Sequence, residues 1–76
     1  MTDFNLLKEK IRDSGMTMVA ISKKSGILRE TLYNRLKGVG DFTAVEMMAL
    51  SETLGLTNEE KEAIFFVKKV EYDATA

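Results

Sequence analysis

Residues 17–38 read TMVAISKKSGILRETLYNRLKG, and this stretch contains the clearest signals for helix starts and ends in the chain. Thr17 is a residue type preferred at helix N-caps, and Gly26 is the type that ends helices in a left-handed conformation. We therefore expect a short helix after Thr17, a sharp turn at Gly26 that needs a positive φ, and a further helix from about Leu28 to Lys37.

The apolar residues of this stretch are spaced so that each helix has one inner face. Ala20 and Ile21 supply that face in the helix before the turn, and Ile27 pins the turn to the core. Leu32 and Leu36 lie at i and i+4, so they bury one side of the helix after the turn. The opposite side is predicted to face outward, with Arg29, Glu30, Tyr33 and Asn34.

One helix precedes this stretch and two follow it. The first has its inner face on Phe4, Leu7 and Ile11 and stops at Gly15. The last two begin with capping boxes, at Thr43 with Glu46 and at Thr57 with Glu60. The fourth helix extends to Leu54, and the fifth from about Asn58 to Val70. Their inner faces carry Met47, Leu50 and Leu54, and then Ile64 and Val67.

The chain has 76 residues, which suits one domain, 1–76. We expect an all-α fold, a compact five-helix bundle whose residues 72–76 are frayed. The absence of Cys and His removes the usual nucleophilic triads, thiol redox centres and zinc sites. Residues 57–60 lack the spacing of a calcium loop, and capping explains them. We therefore expect no enzyme activity, no metal and no cofactor.

The N-terminal residues lack the basic start and apolar block of a secretory signal. No apolar run approaches the roughly 20 residues that span a bilayer. We expect a soluble, cytoplasmic protein that has no membrane partner, and no small-molecule ligand is evident from the sequence.

Charge is divided unevenly along the chain, although the net charge is only −1. Residues 8–37 carry eight bases and three acids, a net of +5, and residues 38–76 carry three bases and eight acids, a net of −5. This division is typical of a protein with one face turned toward phosphate, and it also arises by chance on solvated helices.

The stretch 17–38 with its flanks resembles the phage-repressor and Cro-like helix-turn-helix proteins, the XRE family, over about residues 4–57. A similar pattern in 43–56 matches that family's fourth helix and its exit. The residues that carry the resemblance are Gly15, Thr17, Ile21, Gly26, Ile27, Arg29, Thr31, Leu32 and Gly38. The resemblance implies a lambda-repressor-like fold and a sequence-specific regulator of transcription that binds double-stranded DNA, a small phage- or prophage-type repressor.

The resemblance also implies which residues contact DNA, with the helix after the turn lying in the major groove. Carried over by position, the base-facing residues are Leu28, Arg29, Glu30, Tyr33 and Asn34. The phosphate-facing residues are Thr17, Met18, Thr31 and Lys37. Arg29 suits guanine O6 and N7, and Asn34 suits adenine. Glu30 either accepts a hydrogen bond from cytosine N4 or favours the helix dipole, and Tyr33 either contacts phosphate or packs on its helix.

Two positions depart from the family pattern. Met18 stands where the family often has Gln, and its side chain cannot donate a hydrogen bond, so only its backbone N–H is available. Leu28 stands where the family often has Ser or Thr, and it cannot cap the helix through its side chain, although it can touch a thymine methyl group.

Adjacent Phe65 and Phe66 point about 100° apart, so a narrow helix stripe cannot bury both. We expect one to be exposed, and this pair is the candidate surface for a homodimer. Met47 and Met48 are expected in the core. The rival hypothesis is a protein-interaction module on a helix-turn-helix fold that has lost DNA binding, with the aromatic residues of the fifth helix as its contact surface.

Overall fold

Five helices follow one another in the computed structural model, which describes residues 2–66. They are α1 (Phe4–Ser14), α2 (Met18–Ser25), α3 (Arg29–Leu36), α4 (Ala44–Leu54) and α5 (Asn58–Phe65). Residues 2–66 contain no strand, which confirms the all-α prediction with five helices in one globule. None of these helices has the length and apolar content needed to cross a membrane.

Side chains cap four of the five helices at their N-termini. An oxygen of each capping side chain accepts a hydrogen bond from the backbone N–H three residues later, at 3.0–3.1 Å. The caps are Asp3, Thr17, Thr43 and Thr57. The two predicted capping boxes are confirmed, because Glu46 and Glu60 each accept a hydrogen bond from the backbone of their own cap. Helix α3 begins at Leu28 without a side-chain cap.

The turn between α2 and α3 is fixed by hydrogen bonds within the turn itself. Gly26 has φ 78°, which confirms the predicted positive φ, and its N–H donates to the Ser22 carbonyl at 2.9 Å. The Ser22 hydroxyl donates to the Ile27 carbonyl, and the Ser25 hydroxyl accepts from the Ile27 N–H at 3.2 Å. Ile27 is buried, so the turn is held both by its own backbone and by the core.

The core receives side chains from all five helices, with α4 packed mainly on α2 and α3 packed on α2 as well. Its fully enclosed side chains include Leu7, Ile21, Leu32, Leu50, Ile64 and Phe65. Phe42, in the loop before α4, is also buried and meets the Phe65 ring edge to face at 5.5 Å. Such an aromatic pair contributes about 0.5–1.5 kcal/mol beyond its buried area. Helical spacing could not identify Phe42, because this residue lies outside every helix.

The fifth helix is shorter than predicted, since it ends at Phe65 and Phe66 has left the helical region at φ −123° and ψ 31°. The last turn of α5 is tied to the start of the chain, because the Ile64 carbonyl accepts a hydrogen bond from the Asp3 N–H at 2.7 Å. Val67, Val70 and residues 72–76 lie outside the described residues.

One core prediction in α4 is wrong. Met47 packs against the core, but Met48 is exposed. The reason is geometric: adjacent helical residues point about 100° apart, and Met47 already shares the inner face with Leu50 and Leu54. Met48 therefore lies on the outer face of α4.

Candidate nucleic-acid interface

The five predicted base-facing residues, here called the α3 face, are Leu28, Arg29, Glu30, Tyr33 and Asn34. Leu32 is completely buried on the opposite side of the helix and orients it. Leu28 is 72% exposed and Tyr33 47% exposed, and Arg29 and Glu30 are exposed as well. Asn34 is only half-buried, nearer the edge of the helix. The structure thus brings the five together on one outward side of α3.

Spacing divides the α3 face into two rows. Arg29 and Tyr33 are four residues apart and lie above one another, and Lys37, at the C-cap, extends this row by one more turn. Glu30 and Asn34 form the neighbouring row by the same spacing. A cation and an aromatic hydroxyl in one row, with a carboxylate and an amide in the next, offer donors and acceptors to a polar partner.

The predicted phosphate contacts have less uniform surroundings. Thr17 is exposed, but its hydroxyl accepts from the Ala20 N–H at 3.1 Å and serves as the α2 cap. Met18 is half-buried against the core. Its side chain has no hydrogen-bond donor, so the donor that it offers to phosphate is its backbone N–H, in the first turn of α2. Thr31 is half-buried in the first turn of α3, and Lys37 is exposed.

Three of the predicted DNA contacts, Met18, Tyr33 and Lys37, line a cleft together with residues of α1. We call it the basic cleft. Its lining comes from three helices and consists of Lys8, Ile11, Met18, Tyr33, Leu36 and Lys37. The surface of the cleft is largely apolar, Lys8, Lys37 and Tyr33 are the lining residues with polar groups, and no acidic residue lines it. Lys8 was not among the sequence-predicted contacts. Its place beside Lys37 depends on how α1 packs near α3, which no local motif reports.

Ion pairing changes the charge pattern that the sequence predicts. Lys10 Nζ lies 2.7 Å from Glu60 Oε2, and Arg35 Nε lies 3.2 Å from Glu46 Oε1. Within residues 2–66, the other six bases of segment 8–37 form no ion pair, and with the three acids of that segment they leave a net charge of +3. These six are Lys8, Arg12, Lys23, Lys24, Arg29 and Lys37. The basic character of the segment is therefore weaker than its composition suggests.

Arg35 has a structural role between α3 and α4. Its guanidinium donates to Glu46, the same carboxylate that closes the α4 capping box, and also to the Val39 carbonyl at 3.3 Å. Gly40, at φ 77°, leaves room for it, because a Cβ there would lie 2.6 Å from Arg35 Nη1. The Arg35 side chain thus connects the end of α3 to the loop that follows it and to the start of α4.

The Lys10–Glu60 pair connects α1 to the start of α5 and shifts both pKa values toward the charged forms. The hydrogen bond from Lys10 holds the pKa of Glu60 below its ordinary value, and the backbone of Thr57 adds to this shift. The same hydrogen bond raises the pKa of Lys10, against a smaller opposing effect of burial. Lys10 is therefore engaged with the protein itself.

The predicted dimer surface is only half available. Phe65 lies in the core against Phe42, so it cannot contact a partner, whereas Phe66 is 55% exposed. The expectation that one of the two aromatic rings is exposed is confirmed. Phe65 is the buried ring because it faces α1 and the loop before α4 together with Ile64. The adjacent Phe66 therefore points outward.

Residues 2–66 contain no group of three or more acidic, His or Cys side chains arranged to hold a metal ion. Comparison with known proteins returns no match for this chain among family models, curated proteins or solved structures. The likeness to the XRE family therefore stays a prediction.

Proposed function

We propose that the chain is a sequence-specific DNA-binding regulator of transcription whose α2, turn and α3 act as a helix-turn-helix. The observation that carries this proposal is the continuity of the α3 face with the basic cleft. Polar and cationic side chains suited to base edges stand on an outward helix, and lysines suited to phosphate lie at its C-terminal end. An α-helix fits the major groove of B-DNA, where each base pair has a distinct pattern of donors and acceptors.

The α3 face supplies the base contacts in this proposal. Arg29 donates to O6 and N7 of a guanine, and Asn34 pairs with an adenine at the half-buried edge of the helix. Leu28, which is largely exposed at the start of α3, touches a thymine methyl group. Each bidentate contact discriminates against the wrong base by about 1–3 kcal/mol.

The basic cleft supplies the backbone contacts. Lys8 and Lys37 neutralise phosphates of one strand, Tyr33 donates its hydroxyl to a phosphate, and the apolar floor lies under the sugars. The backbone N–H of Met18, in the first turn of α2, and the exposed Thr17 contact a neighbouring phosphate. Each neutralised phosphate releases counterions, so affinity should fall steeply as salt rises.

The proposal includes repression of a small phage or prophage type, with two copies on half-sites about 34–36 Å apart. The experiment that tests it is the selection of bound sequences from a random duplex pool at two salt concentrations. We expect one enriched motif, an inverted repeat if two copies bind, with affinity that decreases linearly on logarithmic axes as salt increases.

Variants then assign the contacts. Arg29→Ala with Asn34→Ala should abolish preference for the enriched motif, because both bidentate contacts are lost. Lys8→Ala and Lys37→Ala should weaken binding to all sequences and lower the salt slope by about one each. Lys23→Ala is the matched control: it removes an exposed lysine at the end of α2, and it should leave the motif preference unchanged.

The rival function is a protein-interaction module on the same fold. Its support is the exposure of Leu28 on α3 and Phe66 after α5. A pool that shows no enrichment, with only weak binding at low salt, would reject the DNA-binding proposal and favour this one. Partner capture with Phe66→Ser would then follow, since this substitution removes the exposed ring without touching the core.

A further inference from the structure

The basic cleft is more apolar than contact with DNA phosphates requires. Ile11 of α1, Met18 of α2 and Leu36 of α3 line it, and each is half-buried and packs against the core. The cleft has a volume of about 330 Å³, which lies at the lower end of the range for small-molecule sites. Phosphate oxygens gain nothing from an apolar surface, whereas the apolar part of a ligand gains by leaving water.

Two cations and a hydroxyl group accompany this apolar surface. Lys8 and Lys37 are exposed, and neither forms an ion pair within residues 2–66. Tyr33 is exposed as well, and all three side chains line the cleft without an acidic residue beside them. A carboxylate accepts hydrogen bonds from ammonium and phenol donors alike, and charge-assisted bonds of this kind are about twice as strong as neutral ones.

We propose that the basic cleft binds a small amphipathic carboxylate, whose apolar chain lies along Ile11, Met18 and Leu36 and whose carboxylate lies between Lys8 and Lys37. Charge complementarity selects this class of ligand. A neutral apolar molecule leaves both lysines without a partner, and a cationic one brings like charges together. An inorganic anion leaves the apolar surface in water. A carboxylate with an apolar chain satisfies both parts of the cleft.

Binding in the cleft has a consequence for DNA, and this part of the inference rests on the proposed function. Tyr33, Lys37 and the backbone of Met18 are the groups of the cleft that contact phosphates in the proposed helix-turn-helix. The carboxylate takes the same lysine and tyrosine donors, and its apolar chain covers Met18. The ligand and DNA therefore exclude each other, so the amphipathic carboxylate releases the chain from its DNA site.

Nuclear magnetic resonance titration of the full chain with octanoate tests the binding site. Octanoate should shift the methyl resonances of Ile11 and Met18 until they saturate, whereas those of Val45, on the outer face of α4, should not move. Acetate, octanol and octylammonium are the matched controls, since each lacks either the apolar chain or the negative charge. Octanoate should bind at least about tenfold more tightly than any of the three, because it alone satisfies the lysines and the apolar surface together.

Variants separate the charge of the cleft from its apolar surface. Lys8→Met with Lys37→Met removes both cations and keeps unbranched side chains, so the affinity for octanoate should fall at least about tenfold and its preference over octanol should disappear. Lys23→Met with Lys24→Met is the matched control, because it removes two exposed lysines at the end of α2 and should leave octanoate binding unchanged. Circular dichroism checks that both variants keep their helices.

Competition with DNA is measured separately, by fluorescence anisotropy of the selected duplex. At ten times its own dissociation constant, octanoate should raise the apparent dissociation constant of the duplex about tenfold. Acetate at the same concentration controls for ionic strength and should have a much smaller effect. A chain that binds no duplex contradicts the proposed function, whereas the titration with octanoate still decides whether the ligand site exists.

Three results would overturn the ligand site. One is a titration in which octanoate causes no saturable shift at Ile11 and Met18. Another is binding of octanol or octylammonium that is as tight as that of octanoate, which would indicate a nonspecific apolar surface. The third is octanoate binding that persists unchanged in Lys8→Met with Lys37→Met. A duplex that stays bound while octanoate saturates the cleft would overturn the exclusion between ligand and DNA.

Discussion

Helices α3 and α4 are neighbours along the chain, but they begin in opposite ways. At the start of α4, the Thr43 hydroxyl and the Glu46 carboxylate each accept a backbone hydrogen bond, and Glu46 also binds Arg35. At the start of α3, Leu28 makes no side-chain cap and is 72% exposed. One helix is thus secured within the protein, whereas the first-turn N–H groups of the other have no capping side chain.

The outer faces of the two helices differ as well. The α3 face combines one exposed leucine with a cation, a carboxylate, an amide and a tyrosine, whereas the outer face of α4 carries the exposed Val45 and Met48. Polar groups around an exposed helix suit a charged and hydrated partner such as DNA. An apolar centre suits a protein. Two exposed helix faces in one small domain can therefore suit different classes of partner.

The largest loss of stability is expected at the buried leucine that each of the two helices contributes to the core. Leu32 on α3 and Leu50 on α4 are both completely buried, so either Leu→Ala change should lower the free energy of unfolding by about 2–5 kcal/mol. This is comparable with the whole stability of so small a domain. Urea unfolding measures it, with the exposed Val45→Ala as control. A cost below about 1 kcal/mol at Leu32 would mean that α3 is not anchored as described.

The caps should separate the two helices more finely. Thr43→Ala removes the α4 cap and should cost about 1 kcal/mol, because the Glu46 N–H loses its acceptor. Leu28→Ala should cost almost nothing, since no cap is lost. Thermal melts of both variants test this difference. Equal losses in the two variants would contradict the contrast between the helix starts.

A substitution that adds a cap to α3 tests the same difference between the two helix starts. Leu28→Ser supplies a capping hydroxyl to α3 and should raise stability by about 0.5–1 kcal/mol. If Leu28 contacts a thymine methyl group, the same change should weaken binding to the selected DNA motif. Stability and DNA affinity, measured on one preparation, should therefore move in opposite directions. A variant with lower stability would show that the Leu28 side chain already supports α3.

The smallest change in stability is expected from loss of the Lys10–Glu60 ion pair, which lies outside both α3 and α4. Because the pKa of Glu60 is lowered from 4.5, its contribution is complete above that pH and is lost as pH falls through the folded value. Because the pKa of Lys10 is raised from 10.5, its contribution is complete below that pH and is lost as pH rises through the folded value.

Urea midpoints across pH for the wild-type chain and Lys10→Met should therefore differ at neutral pH and converge at both extremes. Lys8→Met is the matched control, since Lys8 forms no ion pair within residues 2–66. A difference between the wild-type chain and Lys10→Met that stays constant with pH would assign the effect to packing of the lysine stem rather than to its charge.

Much of the candidate site could be predicted because its signals are local. Capping residues, the Gly26 turn and the spacing of Leu32 define α3, and they leave Leu28, Arg29 and Tyr33 outward. Lys8 could not be predicted, because its position in the basic cleft depends on a contact between helices that are distant in the chain. The XRE-like function stays a prediction from the sequence.

Charge and aromatic residues show the same limit. The sequence contains eight bases in residues 8–37, but it does not show which of them form ion pairs with acids of residues 38–76. Only packing pairs Lys10 with Glu60 and Arg35 with Glu46. Likewise the spacing of Phe65 and Phe66 predicts one exposed ring, and the position of Phe42 decides which one.

By itself, the sequence determined five helices, the starts of those that threonine caps, and the glycine turn. These features depend on interactions between residues three or four apart, so a short segment of sequence is enough to predict them. The basic cleft and the hydrogen bond that ties α5 to the start of the chain, in contrast, were fixed by tertiary packing alone. These depend on which distant groups meet, such as the Asp3 N–H and the Ile64 carbonyl, and such encounters are fixed when the whole core packs.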